Sequence, residues 1–171
     1  LAVGINRLSL GVQSFQTQKL AALGRIHNPQ QALLAIANAQ QAGFKKLNVD
    51  LMHGLPNQTL ADALSDLQQA IDLGVSHISW YQLTIEPNTV FYRNTPILPD
   101  DEILVDIFEQ GALLLQDNGY KVDDRTGVGT STTLRSMLQK AALDVYLEST
   151  GDALALYHNV ALAELPGKAS D

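Results

Sequence analysis

The sequence predicts an α/β fold over residues 1–120: a partial (βα) barrel of parallel strands with outer helices, followed by a mainly helical or disordered tail over residues 121–171. Three observations lead to it. A pattern of glycine, apolar, two polar, apolar, then Asn or Ser recurs at Gly4–Ser9, Gly43–Asn48 and Gly74–Ser79, and starts again at Gly119-Tyr120-Lys121. Each full copy runs into a short stretch that alternates apolar and polar residues. Amphipathic stretches of helical length lie between the copies.

The recurring glycine suits the left-handed residue that closes a helix, and the apolar residue after it packs back on that helix. Each copy therefore marks a helix end, a short loop and a strand start. The spacings, 39, 31 and 45 residues from Gly4 to Gly43, Gly74 and Gly119, suit one βα unit each.

In the first strand, Leu8, Leu10 and Val12 fall on one face and Ser9, Gly11 and Gln13 on the other. Leu47 to Met52 alternates the same way, with Asn48 and Asp50 sharing the polar face. A third strand runs from His77 to Thr84, less regularly. The helix Pro29–Ala42 opens on Asn28 as N-cap with Pro29 in its first turn, and it repeats Leu33, Ile36 and Ala37. The helix Leu60–Leu73 repeats Leu60, Leu64, Leu67 and Ile71, with Thr59 as its N-cap. A third, Asp100–Asn118, starts with acids, where the helix dipole favours them. After Tyr120 the periodicity fades, leaving two weaker helical stretches, Leu134–Leu147 and Asp152–Leu165.

Alternating strands and helices imply a parallel sheet. A doubly wound sheet would bury both strand faces and read as continuous apolar runs. These strands keep one polar face, which reads as a barrel interior holding a ligand. The open doubly wound sheet is the runner-up.

Composition narrows the function. The chain has 171 residues, a net charge of −7 and no cysteine. Disulfides and thiolate-bound metals are excluded. An acidic chain is a poor nucleic-acid binder. No apolar run is long enough to span a bilayer and no export signal is visible, so the expected location is cytoplasmic. The charge is uneven: residues 1–50 hold Arg7, Lys19, Arg25, Lys45 and Lys46 against Asp50 alone, and acids dominate residues 51–120. The first residue is Leu and lies close to a strand, so further sequence is expected upstream. A barrel without its early strands would expose sheet edges and self-associate.

Ligands of parallel barrels sit at the carboxyl ends of the strands. The polar residues expected there are Gln13, Asp50 and Thr84-Ile85-Glu86-Pro87, with Arg25 on the connection after the first strand. Gln13 can bond an amide, amine or hydroxyl. Asp50 can take a ribose diol or a cation, and Arg25 can clamp a carboxylate in a bidentate fork. That set suits a zwitterionic, ribose-bearing ligand. An acid–base pair of Asp50 and Glu86 is a further reading, in an unrelated hydrolase or lyase. Gly54-Leu55-Pro56-Asn57-Gln58-Thr59 reads as a structural turn. The histidines His27, His53, His77 and His158 lack metal-ligand spacing, and only His53 lies near a strand's carboxyl end. Trp80 and Tyr81 read as core or lumen lining. Gly127-Val128-Gly129 follows no strand and gives little support to a phosphate loop.

Four blocks carry a resemblance: Asn6 to Phe15 (NRLSLGVQSF), Leu23 to His27 (LGRIH), Asn48 to Thr59 (NVDLMHGLPNQT) and His77 to Thr89 (HISWYQLTIEPNT). In order and spacing they resemble the radical S-adenosylmethionine proteins related to oxygen-independent coproporphyrinogen III oxidase, and within that group the HemW-type heme chaperones. The resemblance covers residues 1–120. It implies a partial barrel that binds S-adenosylmethionine and, in complete members, a [4Fe–4S] cluster and heme, with heme transfer to an acceptor protein. It implies that Gln13, Arg25 and Asp50 contact S-adenosylmethionine and that Thr84 does so through its backbone. The family's CxxxCxxC segment is expected upstream of Leu1, so neither cluster binding nor radical chemistry is expected of this chain alone. Residues 121–171 do not resemble the family's C-terminal region; a truncated product with a frame-shifted tail is the expectation, and a non-catalytic S-adenosylmethionine or nucleotide module is the alternative.

Overall fold

The computed structural model of the chain describes residues 4–123. The stretches Leu134–Leu147 and Asp152–Leu165, Gly127-Val128-Gly129 and His158 lie outside the described residues. Three strands, β1 (Arg7–Gln13), β2 (Lys46–His53) and β3 (His77–Gln82), form a parallel sheet in the order β1-β2-β3. Between them run α1 (Thr17–Ala22), α2 (Pro29–Gln41) and α3 (Leu60–Asp72); α4 (Val90–Arg93) and α5 (Asp101–Asp117) follow β3.

The helix ends follow the expected chemistry. Asn28 Oδ1 accepts the Gln31 amide at 2.9 Å, and Gln31 Oε1 accepts the Asn28 amide at 2.9 Å, closing a capping box on α2. Thr59 and Asp62 repeat the device on α3. Asp100 caps α5 through the Ile103 amide at 2.9 Å. Gly43, Gly74 and Gly119, one residue past each C-cap, have φ of 89°, 65° and 84°. At Gly43 the amide returns to Gln40 O and the Phe44 amide to Ala39 O, which ends the helix and turns the chain toward β2. The two short helices, α1 and α4, are too brief to show a helical repeat, and the sequence does not predict them. The third strand stops at Gln82, two residues before the expected Thr84. Only Leu83 continues the pairing, through its amide to His53 O at 2.8 Å, before Pro87 commits the chain to a turn.

The two faces of the sheet separate as the alternation predicts. Leu47, Val49 and Leu51 of β2 are fully or nearly fully buried with Val12 of β1. They pack on Ala32, Ile36 and Ala39 of α2, Leu67 and Ala70 of α3 and Leu115 of α5, with Leu8, Leu10, Ile78 and Trp80 against the cluster. Burying each large aliphatic of this layer contributes roughly 1.5–3 kcal/mol. Gly111 of α5 lets that helix close on β3, because a Cβ there would overlap the Trp80 ring. The opposite face carries Ser9, Asn48, Asp50, Ser79 and Tyr81, joined by hydrogen bonds. Sequential strands with a helix-covered apolar face and a polar second face form an arc of a parallel barrel, and the doubly wound alternative gives way to it. No described helix is long and apolar enough to cross a membrane.

Candidate functional site

The polar face is organised around Asp50. Its Oδ2 accepts the Ser9 hydroxyl at 3.0 Å and its Oδ1 accepts Asn48 Nδ2 at 2.7 Å. Asn48 Nδ2 also donates to Ser9 Oγ at 2.8 Å, and Asn48 Oδ1 accepts the Ser79 hydroxyl at 3.2 Å. One residue from each strand is thus tied to the same carboxylate network. The register explains why: Gly11 stands opposite Asp50, and Asp50 opposite Ser79. Asp50 is 8% exposed and no cation pairs with it among the described residues. A buried carboxylate served only by neutral donors retains lone pairs for hydroxyls or a cationic group.

Gln13 lies at the carboxyl end of β1, at a bulge between Gly11 and Gln13, and has a φ of 70°. Its Oε1 accepts the Tyr81 hydroxyl at 2.6 Å. The bond spans β2, because β1 and β3 are two strand spacings, roughly 10 Å, apart. Burial first, and then the Asp50 carboxylate, push the Tyr81 phenol above its ordinary pKa, while the Arg25 charge acts the other way. The hydroxyl therefore keeps its proton at neutral pH.

Arg25 stands just past the end of α1. The Gly24 amide returns to Ala21 O and the Arg25 amide to Leu20 O, both at 3.0 Å, with Gly24 at a φ of 68°. Arg25 itself is exposed. Thr84, also exposed, stands two residues beyond β3, and its hydroxyl donates to Glu86 Oε1 at 2.9 Å. Glu86 makes no contact with Asp50 among the described residues, so the geometry gives no support to an acid–base pair of the two.

Two buried clips hold the loops at this end of the sheet. Asp66 of α3 accepts the Ser14 hydroxyl at 2.6 Å and the Phe15 amide at 2.9 Å. Burial raises the Asp66 pKa despite those two bonds. Lys19 of α1 is 6% exposed; its Nζ donates to Asn57 O at 2.6 Å and Pro56 O at 3.3 Å, and pairs with Asp62 Oδ2 at 3.2 Å. Burial works against the Asp62 charge, but the Thr59 amide and Lys19 outweigh it and lower the pKa. Lys19 holds the Gly54–Thr59 turn, and Thr59 at its end caps α3.

His53 lies on the helix side of β2, with its ring centroid 4.5 Å from that of Trp80, and burial lowers its pKa to about 4. His27 Nε2 donates to Val12 O at 3.1 Å. Among the described residues, no group of three or more His, Cys, Asp or Glu could hold a metal ion. The sequence reads Tyr81 as core or lumen lining without tying it to Gln13, and it does not single out Lys19 or Asp66; the signal for Tyr81 is its shared parity with Ser79.

Known proteins match this arrangement. Residues 1–70 match the Radical SAM superfamily. The heme chaperone HemW of Escherichia coli K12 is 58% identical over 118 residues, covering 69% of this chain and 31% of that protein. The heme chaperone HemW of Haemophilus influenzae is 59% identical over 121 residues, covering 71% and 32%. The structure of coproporphyrinogen III oxidase (HemN) from Escherichia coli, described as a radical SAM enzyme, superposes with a TM-score of 0.63 at 27% identity, covering 70% of this chain and 28% of that one. The chain spans about a third of the length of the curated relatives it matches. The chain is thus similar to the Radical SAM superfamily over residues 1–70 and to HemW heme chaperones over about 70% of its length.

Proposed function

We propose that the polar face of this sheet binds S-adenosylmethionine as part of a radical SAM protein of the heme-chaperone type, with heme as cargo and a heme-acceptor protein as partner. The observation that supports it best is the buried Asp50 carboxylate, bonded only to neutral donors, on the same face as the Tyr81–Gln13 bond at the carboxyl end of the sheet. In this reading Asp50 takes the ribose hydroxyls, Arg25 the ligand carboxylate, Gln13 a further oxygen, and the backbone at Thr84 closes the strand-end side. The donor set fits a zwitterionic nucleoside: one fork for a carboxylate and one carboxylate for a diol. The likeness to HemW proteins favours this reading over an unrelated hydrolase.

An iron–sulfur cluster does not fit this chain, which has no cysteine to supply thiolates. Incubation with iron and sulfide under reducing, oxygen-free conditions is therefore expected to give no cluster absorbance, and a stable cluster would contradict that.

Equilibrium dialysis with radiolabelled S-adenosylmethionine tests the main reading. Saturable binding is expected for the chain, with at least a tenfold loss in Asp50→Ala and in Arg25→Ala. Binding that survives both substitutions, or none in the parent chain, would overturn it. Heme titration followed by its Soret absorbance tests the cargo separately.

A further inference from the structure

We infer that Tyr81 and Gly11 together fix the Gln13 amide, its oxygen held by Tyr81 and its NH2 group offered as a donor, so that the ligand atom meeting Gln13 is an acceptor oxygen. The choice of ligand rests on the reading of the polar face as an S-adenosylmethionine site; the fixing of the amide does not.

Three features carry the inference. First, the Tyr81 hydroxyl has one proton, and its 2.6 Å contact is with Gln13 Oε1. That oxygen is the hydroxyl's one hydrogen-bond partner among the described residues, and the hydroxyl is partly buried, which makes losing the bond costly. Second, Gln13 Nε2 lies over Gly11, where a Cβ would come within 2.9 Å of it. The φ of Gly11 is not in the left-handed region, so backbone conformation does not call for glycine there. The absence of a side chain does something else: it leaves room for the amide nitrogen beside the strand. Third, Gln13 is held at a φ of 70°. A non-glycine residue in that region is strained by about 1 kcal/mol or more, a cost that persists where surrounding structure fixes the side chain's direction.

The result is a donor aimed from β1. Gln13 Nε2 makes no hydrogen bond among the described residues. It is also not one of the sealed, unpartnered side-chain nitrogens, which are His53 Nδ1, Gln58 Nε2 and Trp80 Nε1. Asp50, on the neighbouring strand, offers only acceptors. The face thus presents a donor and an acceptor side by side, and the arrangement selects a ligand group with the complementary pair, such as a ribose hydroxyl with a second oxygen. Tyr81 acts through Gln13 and is a positioning residue.

The experiment uses the whole 171-residue chain, labelled with nitrogen-15, in four forms: parent, Tyr81→Phe, Gly11→Ala and Gln13→Ala. The Gln13 side-chain amide is identified by its disappearance in Gln13→Ala. Without ligand, its order parameter is expected to be high in the parent and to fall in Tyr81→Phe. Affinity for S-adenosylmethionine should fall about threefold to tenfold in Tyr81→Phe and in Gly11→Ala, the worth of one oriented hydrogen bond. Adding Tyr81→Phe to Gln13→Ala should cost nothing more, which a merely structural role would not produce. An unchanged amide order in Tyr81→Phe overturns the inference, as does an additive double variant. A parent chain that binds no S-adenosylmethionine overturns the functional reading instead, and the ligand-free order parameter still decides the role of Tyr81.

Discussion

Ser14 donates its hydroxyl to Asp66 across 2.6 Å, so the loop leaving β1 is held by a helix 52 residues further along the chain. The Phe15 amide adds a second bond to the same carboxylate. Gln13 stands immediately before this anchor, and the anchored Ser14-Phe15 segment fixes its left-handed backbone.

Removing the anchor strands two donors. Asp66→Ala leaves the buried Ser14 hydroxyl and the Phe15 amide without acceptors, at a cost of about 2 kcal/mol. Asp66→Asn keeps one acceptor and removes a carboxylate whose raised pKa shows that the fold disfavours its charge. The Asn variant should therefore lose less than about 1 kcal/mol at pH 7. Urea unfolding measures both, and an Ala variant as stable as the Asn variant would refute the anchor.

Gly111 sits within α5, where alanine would ordinarily stabilise a helix by about 1 kcal/mol. Here a Cβ would overlap the Trp80 ring and come within 3.0 Å of Leu67 Cδ1. Gly111→Ala is expected to destabilise by roughly 1–3 kcal/mol. A variant more stable than the parent would show that α5 does not close on β3 as described.

His53 gives the fold an acid-sensitive component. Its folded pKa, about 4, lies below the ordinary value of 6.5, so the unfolded chain binds the proton first as the pH falls. Its contribution is intact above pH 6.5 and is lost progressively between there and pH 4. The full loss is on the order of 3 kcal/mol. Urea midpoints at about pH 7.5 and about pH 4.5 should differ less in His53→Leu than in the parent. Equal differences would mean that His53 does not drive the loss.

Lys19 ties α1 to the Gly54–Thr59 turn. Lys19→Met keeps the aliphatic stem and leaves the Pro56 and Asn57 carbonyls without their donor. Hydrogen exchange at the Asn57 and Gln58 amides should speed up several-fold, while exchange in the centre of β2 is unchanged. Uniform acceleration across the sheet would point to a global effect.

Much of this architecture is readable from the sequence because it depends on local chemistry. Gly43, Gly74 and Gly119 each occupy a helix-ending position that penalises other residues, and Asn28, Thr59 and Asp100 cap the next helix from within four residues. The parity of Ser9, Asn48 and Asp50 comes from the two-residue repeat of a strand. The same rule places His53 with Leu47, Val49 and Leu51 on the helix side, away from the position its nearness to the strand end suggests. The hidden part is non-local. Lys19 reads as a surface charge on a six-residue helix without a side-chain cap, and its partners lie 37 and more residues away. The Gln13–Tyr81 bond joins residues 68 apart on strands that are not neighbours. No spacing rule reaches that far.

The most direct test of the central claim is a thermal melt of the chain over a range of S-adenosylmethionine concentrations, run beside Asp50→Ala. A ligand bound only by the folded state raises the midpoint with the logarithm of its concentration once its dissociation constant is exceeded. The parent midpoint should climb in that way and the Asp50→Ala midpoint should stay flat, whatever its starting value. Parallel rises in the two chains, or no rise in the parent, would contradict a ligand site built on Asp50.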